Sequence, residues 1–270
     1  MSDGAVEIPG VLGRICRTVR TRLDETASFR RGREFESRVA SARPRGDRFR
    51  MALAAEGSAN VIAECKRTSP SRGRLCDRYD PAELSRAYAR GGAAAISVLT
   101  EPDFFEGSLE HLEQVREAVE LPILRKDFIL DAVQIDEARA CGADAVLLIV
   151  AALDDPTLAR LYQHADSSGL AVLVEVHDAE ELARAIDCGA TILGVNNRDL
   201  RTLETNPQTA RRLAAMIPSS AVPVCESGIS TPAAVREFRA LGYRGFLVGE
   251  HLMRSGDPEA SLRALRGETP

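Results

Sequence analysis

Tryptophan is absent from this chain, and aromatic residues make up only 4% of it. With 44% hydrophobic residues in 270, a sizeable core is still expected, built from Val, Ile, Leu and Ala. No apolar run approaches the ~20 residues that a membrane span requires, so no membrane partner is expected. Positive charge is not in excess: the formal net charge is −5, which speaks against nucleic acid or an anionic membrane as partner. Arg14, Arg17, Arg20 and Arg22 cluster early but are followed by Asp24 and Glu25 without an apolar stretch. That pattern suits a docking helix, not a secretory leader. Cysteine pairs are lacking too. Cys16, Cys65, Cys76, Cys141, Cys188 and Cys225 are scattered, with no C-x-x-C and no His at ligand spacing. They read as reduced thiols of a cytoplasmic protein without a metal site.

What is present is regular. Short apolar runs recur at Val61–Ala63, Ala94–Leu99, Pro122–Leu124, Ala143–Ile149, Leu170–Val174, Ile192–Val195, Val222–Cys225 and Phe246–Val248. They are continuous rather than alternating, as in parallel strands buried on both faces. Between them lie helix signals. Asp80-Pro81-Ala82-Glu83 offers an N-cap, a first-turn proline and a capping-box glutamate, and Gly91-Gly92 closes that helix. Asp155-Pro156, Asn206-Pro207, Thr231-Pro232 and Asp257-Pro258 are further cap and proline pairs, while Ser108, Asp131 and Asp178 can cap the remaining helices.

Eight strands alternating with eight helices over ~210 residues predict a (β/α)8 TIM barrel. A doubly wound sheet is the runner-up, but no G-x-G-x-x-G turn follows the first strand. Residues 1–59 fall outside the repeat and read as an N-terminal helical extension, with helices expected around Val11–Leu23, Phe29–Ala40 and Phe49–Leu53. The expectation is one barrel domain over residues 1–270.

In such barrels chemistry sits at the C-terminal ends of the strands. Those ends carry Glu64 and Lys66, then Ser97 with Thr100 and Glu101, then Arg125-Lys126-Asp127. The fourth run supplies only Leu147-Leu148-Ile149. The others supply Glu175-Val176-His177, Asn196-Asn197-Arg198, Glu226-Ser227-Gly228 and Gly249-Glu250. Lysines and glutamates converging on one mouth point to general acid–base chemistry. With Lys66 and Arg198 nearby, Lys126 is expected to have a lowered pKa. His177 is expected to orient the next helix. Gly228 and Gly249, with a short helix over Glu250–Arg254, suit a phosphate site. Cys65 and Cys225 should point outward by strand alternation.

These motifs together resemble indole-3-glycerol-phosphate synthase. The matching segments are Ile62–Lys66 with Ser69–Gly73, Ile96–Glu101 with Phe104-Phe105, Leu124–Ile129, Ala143–Ile149, Leu173–His177, Gly194–Leu200, Glu226–Ile229 and Leu247–Glu250. They are collinear and cover all eight strands, from about residue 60 to 255. One departure is Ala132-Val133, where the family often has proline and an aromatic.

The resemblance implies a carboxy-lyase of tryptophan biosynthesis. Its substrate would be 1-(2-carboxyphenylamino)-1-deoxyribulose 5-phosphate, an anthranilate-derived ribulose phosphate. The reaction closes the indole ring and releases carbon dioxide and water, with no cofactor and no metal. Residue by residue, Lys126 matches the general acid of ring closure, and Glu175 the acid–base residue of dehydration. Lys66 matches a substrate-contacting lysine that also serves as a candidate acid in the second step; which lysine acts when stays open. Glu64 matches the residue that holds the lysines. Asn196 and Ser227 complete the catalytic set. Ser69, Ser71, Arg198 and Glu226 match substrate-binding positions, and Phe104, Phe128 and Leu147 the apolar wall. Gly228, Gly249 and Glu250 match the phosphate site. A monomer or weak oligomer is expected. Two other readings are a sister phosphate-binding sugar isomerase barrel, which would place Cys/Asp or Asp/Asp pairs where Lys and Glu stand, and a noncatalytic binding barrel, against which the intact Lys66, Lys126 and Glu175 argue.

Overall fold

Every one of the eight apolar runs forms a strand in the computed structural model, which describes residues 8–26, 32–57 and 59–268. The strands are β1 (Asn60–Cys65), β2 (Ala95–Leu99), β3 (Ile123–Lys126), β4 (Ala145–Ile149), β5 (Ala171–Val176), β6 (Ile192–Asn196), β7 (Val222–Glu226) and β8 (Gly245–Val248). All neighbours pair in parallel, and β1 pairs with both β2 and β8, so the sheet closes on itself. Parallel neighbours require crossovers, and helices supply them, burying the outer face of each strand. Hence β1, β2, β4 and β6 are buried along their whole length.

The crossover helices are bounded largely as their caps dictate. Of the helices in chain order, α1 (Gly10–Thr26), α2 (Arg33–Ser41) and α3 (Gly46–Ala54) precede the barrel. The part of the expected second helix at residues 29–31, like the chain end at 269–270, lies outside the described residues. Helices α4 (Pro81–Arg90), α5 (Pro102–Phe105), α6 (Leu109–Ala118), α7 (Ala132–Ala140), α8 (Asp155–Ser167) and α9 (Ala179–Asp187) follow. Then come α10 (Gln208–Leu213), α11 (Pro232–Ala240), α12 (Glu250–Met253) and α13 (Pro258–Leu265).

Asp80, Ser108, Asp178, Thr231 and Asp257 accept first-turn backbone N–H groups, as expected. Three details differ. Asp80 caps α4, but Glu83 does not complete a box and pairs with Arg78 instead. The full reciprocal box is at Asp131 and Gln134. Before α8 the capping oxygen belongs to Asp154, one residue earlier than expected, which frees Asp155 to pair with Arg184. Before α10, Asn206 accepts the Gln208 N–H from one residue outside the formal cap.

The extension embraces both ends of the barrel. Helix α3 packs against β1, β2, β5 and β7, with Phe49 and Leu53 fully buried. The Asn60 side chain donates to the carbonyls of Leu53 and Ala55, tying that helix to the start of β1. At Gly46 a Cβ would lie 2.5 Å from the Ala171 backbone nitrogen, so only glycine allows this approach. Helix α1 instead reaches the opposite end, where Val11, Leu12 and Ile15 line the mouth.

Candidate active site

Strand alternation sorts the polar residues at the mouth. On β1, Glu64 and, just beyond the strand, Lys66 face the interior and form an ion pair of 2.5 Å. Cys65 points away, its sulfur 4.0 Å from the Pro81 carbonyl, and burial raises its pKa. On β3, Lys126 faces inward. Arg125 turns outward into a buried network with Asp127, Glu137 and the Gln134 carbonyl. Thr100 donates to Asp127, and Glu101 caps α5, so these two strand-end groups are structural. Asn196 and Glu226 end β6 and β7 as directly paired residues. Cys225 accepts from the Asn197 amide outside the barrel, and burial pushes its thiol up to about 12.

The result is a cavity of about 620 Å³ with a charged floor. Lys126 Nζ lies 3.3 Å from Glu175 Oε2 and 3.8 Å from Glu226 Oε2. Both carboxyl side chains are at most 2% exposed. The expectation of a lowered Lys126 pKa is overturned. Burial does lower it, but Glu175, Glu226 and Glu64 outweigh burial and hold the ammonium form. The cations of the mouth are outweighed because β5 and β7 bring Glu175 and Glu226 within 4 Å of the ammonium. For Glu175, burial raises the pKa, yet Lys126, His177 and Asn196 together carry it well below the usual carboxylate range. Glu226 moves the other way: burial and the Glu175 charge push it well above its ordinary value. Two neighbouring carboxyls are thus shifted in opposite directions, Glu175 toward the anion and Glu226 toward the acid form.

His177 orients the start of α9 as expected, its ring and backbone N–H both meeting the Glu181 carboxylate. Around the rim, Ser227 and Gly228 both have left-handed backbones, at φ 64° and 78°. A β-strand ending in two such residues turns its peptide groups sharply, and Thr205 packs 3.0 Å from where a Gly228 Cβ would be. The expected short helix is α12, opening directly after Gly249. Glu250 there pairs with Arg72, Arg198 and Arg254. Ser69 and Ser71 lie on the wall, with hydroxyls 3.5 Å apart. Their loop is pinned by a two-residue antiparallel pairing, Thr68–Ser69 with Gly73–Arg74.

The cavity brings together Glu64, Lys66, Ser69, Ser71, Lys126, Phe128, Leu147, Glu175, Asn196, Arg198, Glu226, Ser227, Gly228, Gly249 and Glu250. Phe104 is the exception and needs correction. It does not line the cavity but packs beneath the Arg14 guanidinium, 5.8 Å away. Phe105 takes the wall position and packs on Phe128. One residue along a helical turn rotates a side chain by ~100°, so choosing between adjacent phenylalanines required the actual phase of α5. Sequence reasoning also missed Val11, Leu12 and Ile15 of α1, and Arg72 as a partner of Glu250. The amphipathic spacing of 11, 12 and 15 was a signal for a buried face, but not for what that face covers. Among the described residues, no group of three or more His, Cys, Asp or Glu is placed to hold a metal ion.

Comparison with known proteins now bears on this geometry. The family profile described as indole-3-glycerol phosphate synthase matches residues 12–265. A protein of that description from Nocardioides sp. is 51% identical over 257 residues, covering 95% of this chain and 98% of its own. Another from Roseiflexus sp. is 50% identical over 242 residues, covering 87% and 90%. A third from Koribacter versatilis is 47% identical over 249 residues, covering 92% and 96%. Among solved structures, a thiamine phosphate pyrophosphorylase from Pyrococcus furiosus superposes with TM-score 0.60 at 20% identity, covering 81% of this chain and 96% of that one. At that identity the likeness supports the barrel fold alone.

Proposed function

The chain belongs to the indole-3-glycerol phosphate synthase family, and from that premise we propose a division of labour among its site residues. The activity is that of a carboxy-lyase in tryptophan biosynthesis. It converts 1-(2-carboxyphenylamino)-1-deoxyribulose 5-phosphate to indole-3-glycerol phosphate, carbon dioxide and water. In ring closure the aromatic carbon attacks the ketone, whose oxygen takes a proton. Loss of carbon dioxide leaves its electron pair in the ring. Dehydration then adds a proton to the departing hydroxyl and removes one from the carbon beside nitrogen. Two protons go in and one comes out.

Lys126 is the acid of ring closure. The surrounding carboxylates keep it protonated before substrate arrives, so its proton is in place at the start. Glu175, held anionic, takes the carbon-bound proton in dehydration. Glu226, shifted the other way by burial and by Glu175, holds its proton more tightly than Glu175 does. Glu64 fixes Lys66, which faces the substrate's charged groups and is the candidate second-step acid. Asn196 and Arg198 position the ribulose chain, with Ser69, Ser71 and Ser227 along the same wall. Phe105, Phe128 and Leu147 enclose the aromatic ring. The phosphate lies against Gly228, Gly249 and the backbone opening α12, with Arg72 and Arg198 close by through Glu250.

The observation that carries this reading is Lys126 lying within 4 Å of both Glu175 and Glu226 on the cavity floor. The test is indole fluorescence from the carboxyphenylamino ribulose phosphate, with no added metal or cofactor. Lys126→Ala should lower kcat by ~10²-fold or more, a general acid–base contribution. Near-normal turnover in the folded variant would remove Lys126 from its role.

We also read residues 1–59 as part of the single barrel domain, since Val11, Leu12 and Ile15 help line its cavity. A monomer or weak oligomer fits the exposed large apolar side chains of the described residues: Met51, Ile186, Met216 and Leu241 are scattered along the chain. Six free cysteines, four of them buried, agree with a cytoplasmic setting.

A further inference from the structure

Beside Glu175 lies a charged pair that the scheme above does not use. Neither His177 nor Glu181 lines the substrate cavity. His177 Nδ1 is 2.9 Å from Glu181 Oε2, and the same oxygen accepts the His177 backbone N–H at 2.8 Å. Glu181 is itself fixed, because it stands in the first turn of α9 and donates its backbone N–H to Asp178. The imidazole is therefore locked in place from one side. Its other nitrogen, Nε2, lies 3.4 Å from Glu175 Oε1. Both of those atoms are buried and neither makes a well-formed hydrogen bond, so their contact is an ion pair. The second Glu175 oxygen, Oε2, faces Lys126. Each oxygen of one buried carboxylate is thus matched to a different cation, one lining the cavity and one outside it.

We propose that His177, anchored by Glu181, is a positioning residue for proton transfer at Glu175, fixing the orientation of that carboxylate and keeping it ionised. The inference rests on the role given to Glu175 above. The groups facing Glu175 are Lys126 from β3, Glu226 from β7, the neutral Asn196 from β6 and His177. Those facing His177 are Glu175 and Glu181. Burial opposes the imidazolium, but these two carboxylates overcome it and bring its pKa up to about 10. Both ring nitrogens then carry protons, one toward the Glu181 carboxylate and one toward Glu175. Without that cation, only Lys126 and the neutral Asn196 would hold Glu175 ionised against its burial, and the carboxylate would take up a proton more readily. A protonated Glu175 cannot accept the carbon-bound proton. Since His177 does not touch the cavity, the loss should fall on kcat and not on KM.

The experiment measures kcat and KM from about pH 9 down to the lowest pH at which the protein stays folded, for His177→Asn, His177→Ala and Glu181→Gln, with thermal melting to confirm folding. His177→Asn keeps an N–H donor without the charge. It should lower kcat by about 10-fold, leave KM within about twofold, and move the acid limb of kcat upward by about one pH unit. His177→Ala should move the limb equally and lose more turnover. Glu181→Gln should act in the same direction, less strongly. A folded His177→Asn with normal kcat and an unmoved acid limb would overturn the proposal, as would a loss confined to KM. Glu175→Gln, run in parallel, separates the two claims. If it retains turnover, the role of Glu175 itself fails; if it is inactive while the His177 variants behave normally, only the present inference fails. Should the His177 variants not fold, the nitrogen-15 shifts of His177 in the unaltered protein decide. Two protonated ring nitrogens at about pH 8 support the proposal, and a neutral ring overturns it.

Discussion

A Cβ placed on Gly249 would sit 2.1 Å from Glu64 Oε2 and 3.1 Å from Lys66 Nζ. The backbone there has φ −119°, outside the left-handed region, so the main effect of an alanine is steric. Gly249→Ala should therefore displace the Glu64–Lys66 pair and lower kcat/KM by about 10-fold or more, with little change in melting temperature. Unaltered kinetics would show that the pair has freedom to move. At Gly194 a Cβ would lie 2.2 Å from Glu226 Oε1, so the glycine of β6 makes room for the carboxyl of β7. In the sequence Gly249 reads as a place for phosphate to approach backbone. Its second duty, leaving space for a carboxylate from β1, depends on the closure of β8 against β1 and is not written in local pattern. The same limit explains Lys126. Its inward direction follows from alternation, whereas the sign of its pKa shift depends on Glu64, Glu175 and Glu226, from three other strands.

Among the elements, the strands were the most legible and α1 the least. Continuous apolar runs mark buried parallel strands because both faces are covered, and their order around the barrel follows from simple βα repetition. Helix α1 repeats nothing. Its position at the mouth is set by contacts between distant parts of the chain. Arg22 pairs with the fully buried Glu101 at 3.2 Å and with the more exposed Asp103. Glu101 also accepts from the backbone N–H groups of Asp103 and Phe104, so one carboxylate holds both α1 and α5. Those two helices deliver Val11, Leu12, Ile15 and Phe105 to the cavity. Arg22→Ala should loosen this wall. KM should rise about fivefold, the worth of ~1 kcal/mol for one hydrogen-bonded pair, while kcat changes less. A KM equal to that of the unaltered protein would mean that α1 is held by its apolar face alone.

For the molecule as a whole, the buried charges predict how stability varies with pH. Glu175 is held below its ordinary 4.5 despite burial, mainly by Lys126 and then by His177. Its contribution is therefore complete above 4.5 and is lost as pH falls through its folded value. Asp154 and Asp199, also depressed, add to this acid limb. His177 behaves oppositely. Its pKa rises from 6.5 to about 10, burial being outweighed by Glu175 and Glu181, so its contribution is complete below 6.5 and is lost as pH rises toward 10. Glu226, raised by burial and by Glu175, also stabilises most at low pH and loses its contribution as pH rises through its folded value. The melting temperature should therefore fall from near neutrality toward pH 10, well before lysines titrate freely. In His177→Asn that alkaline fall should flatten, because Asn carries no proton to lose. A melting curve whose alkaline limb is as steep in His177→Asn as in the parent would assign the decline to other groups, with Glu226 the next to test through Glu226→Gln.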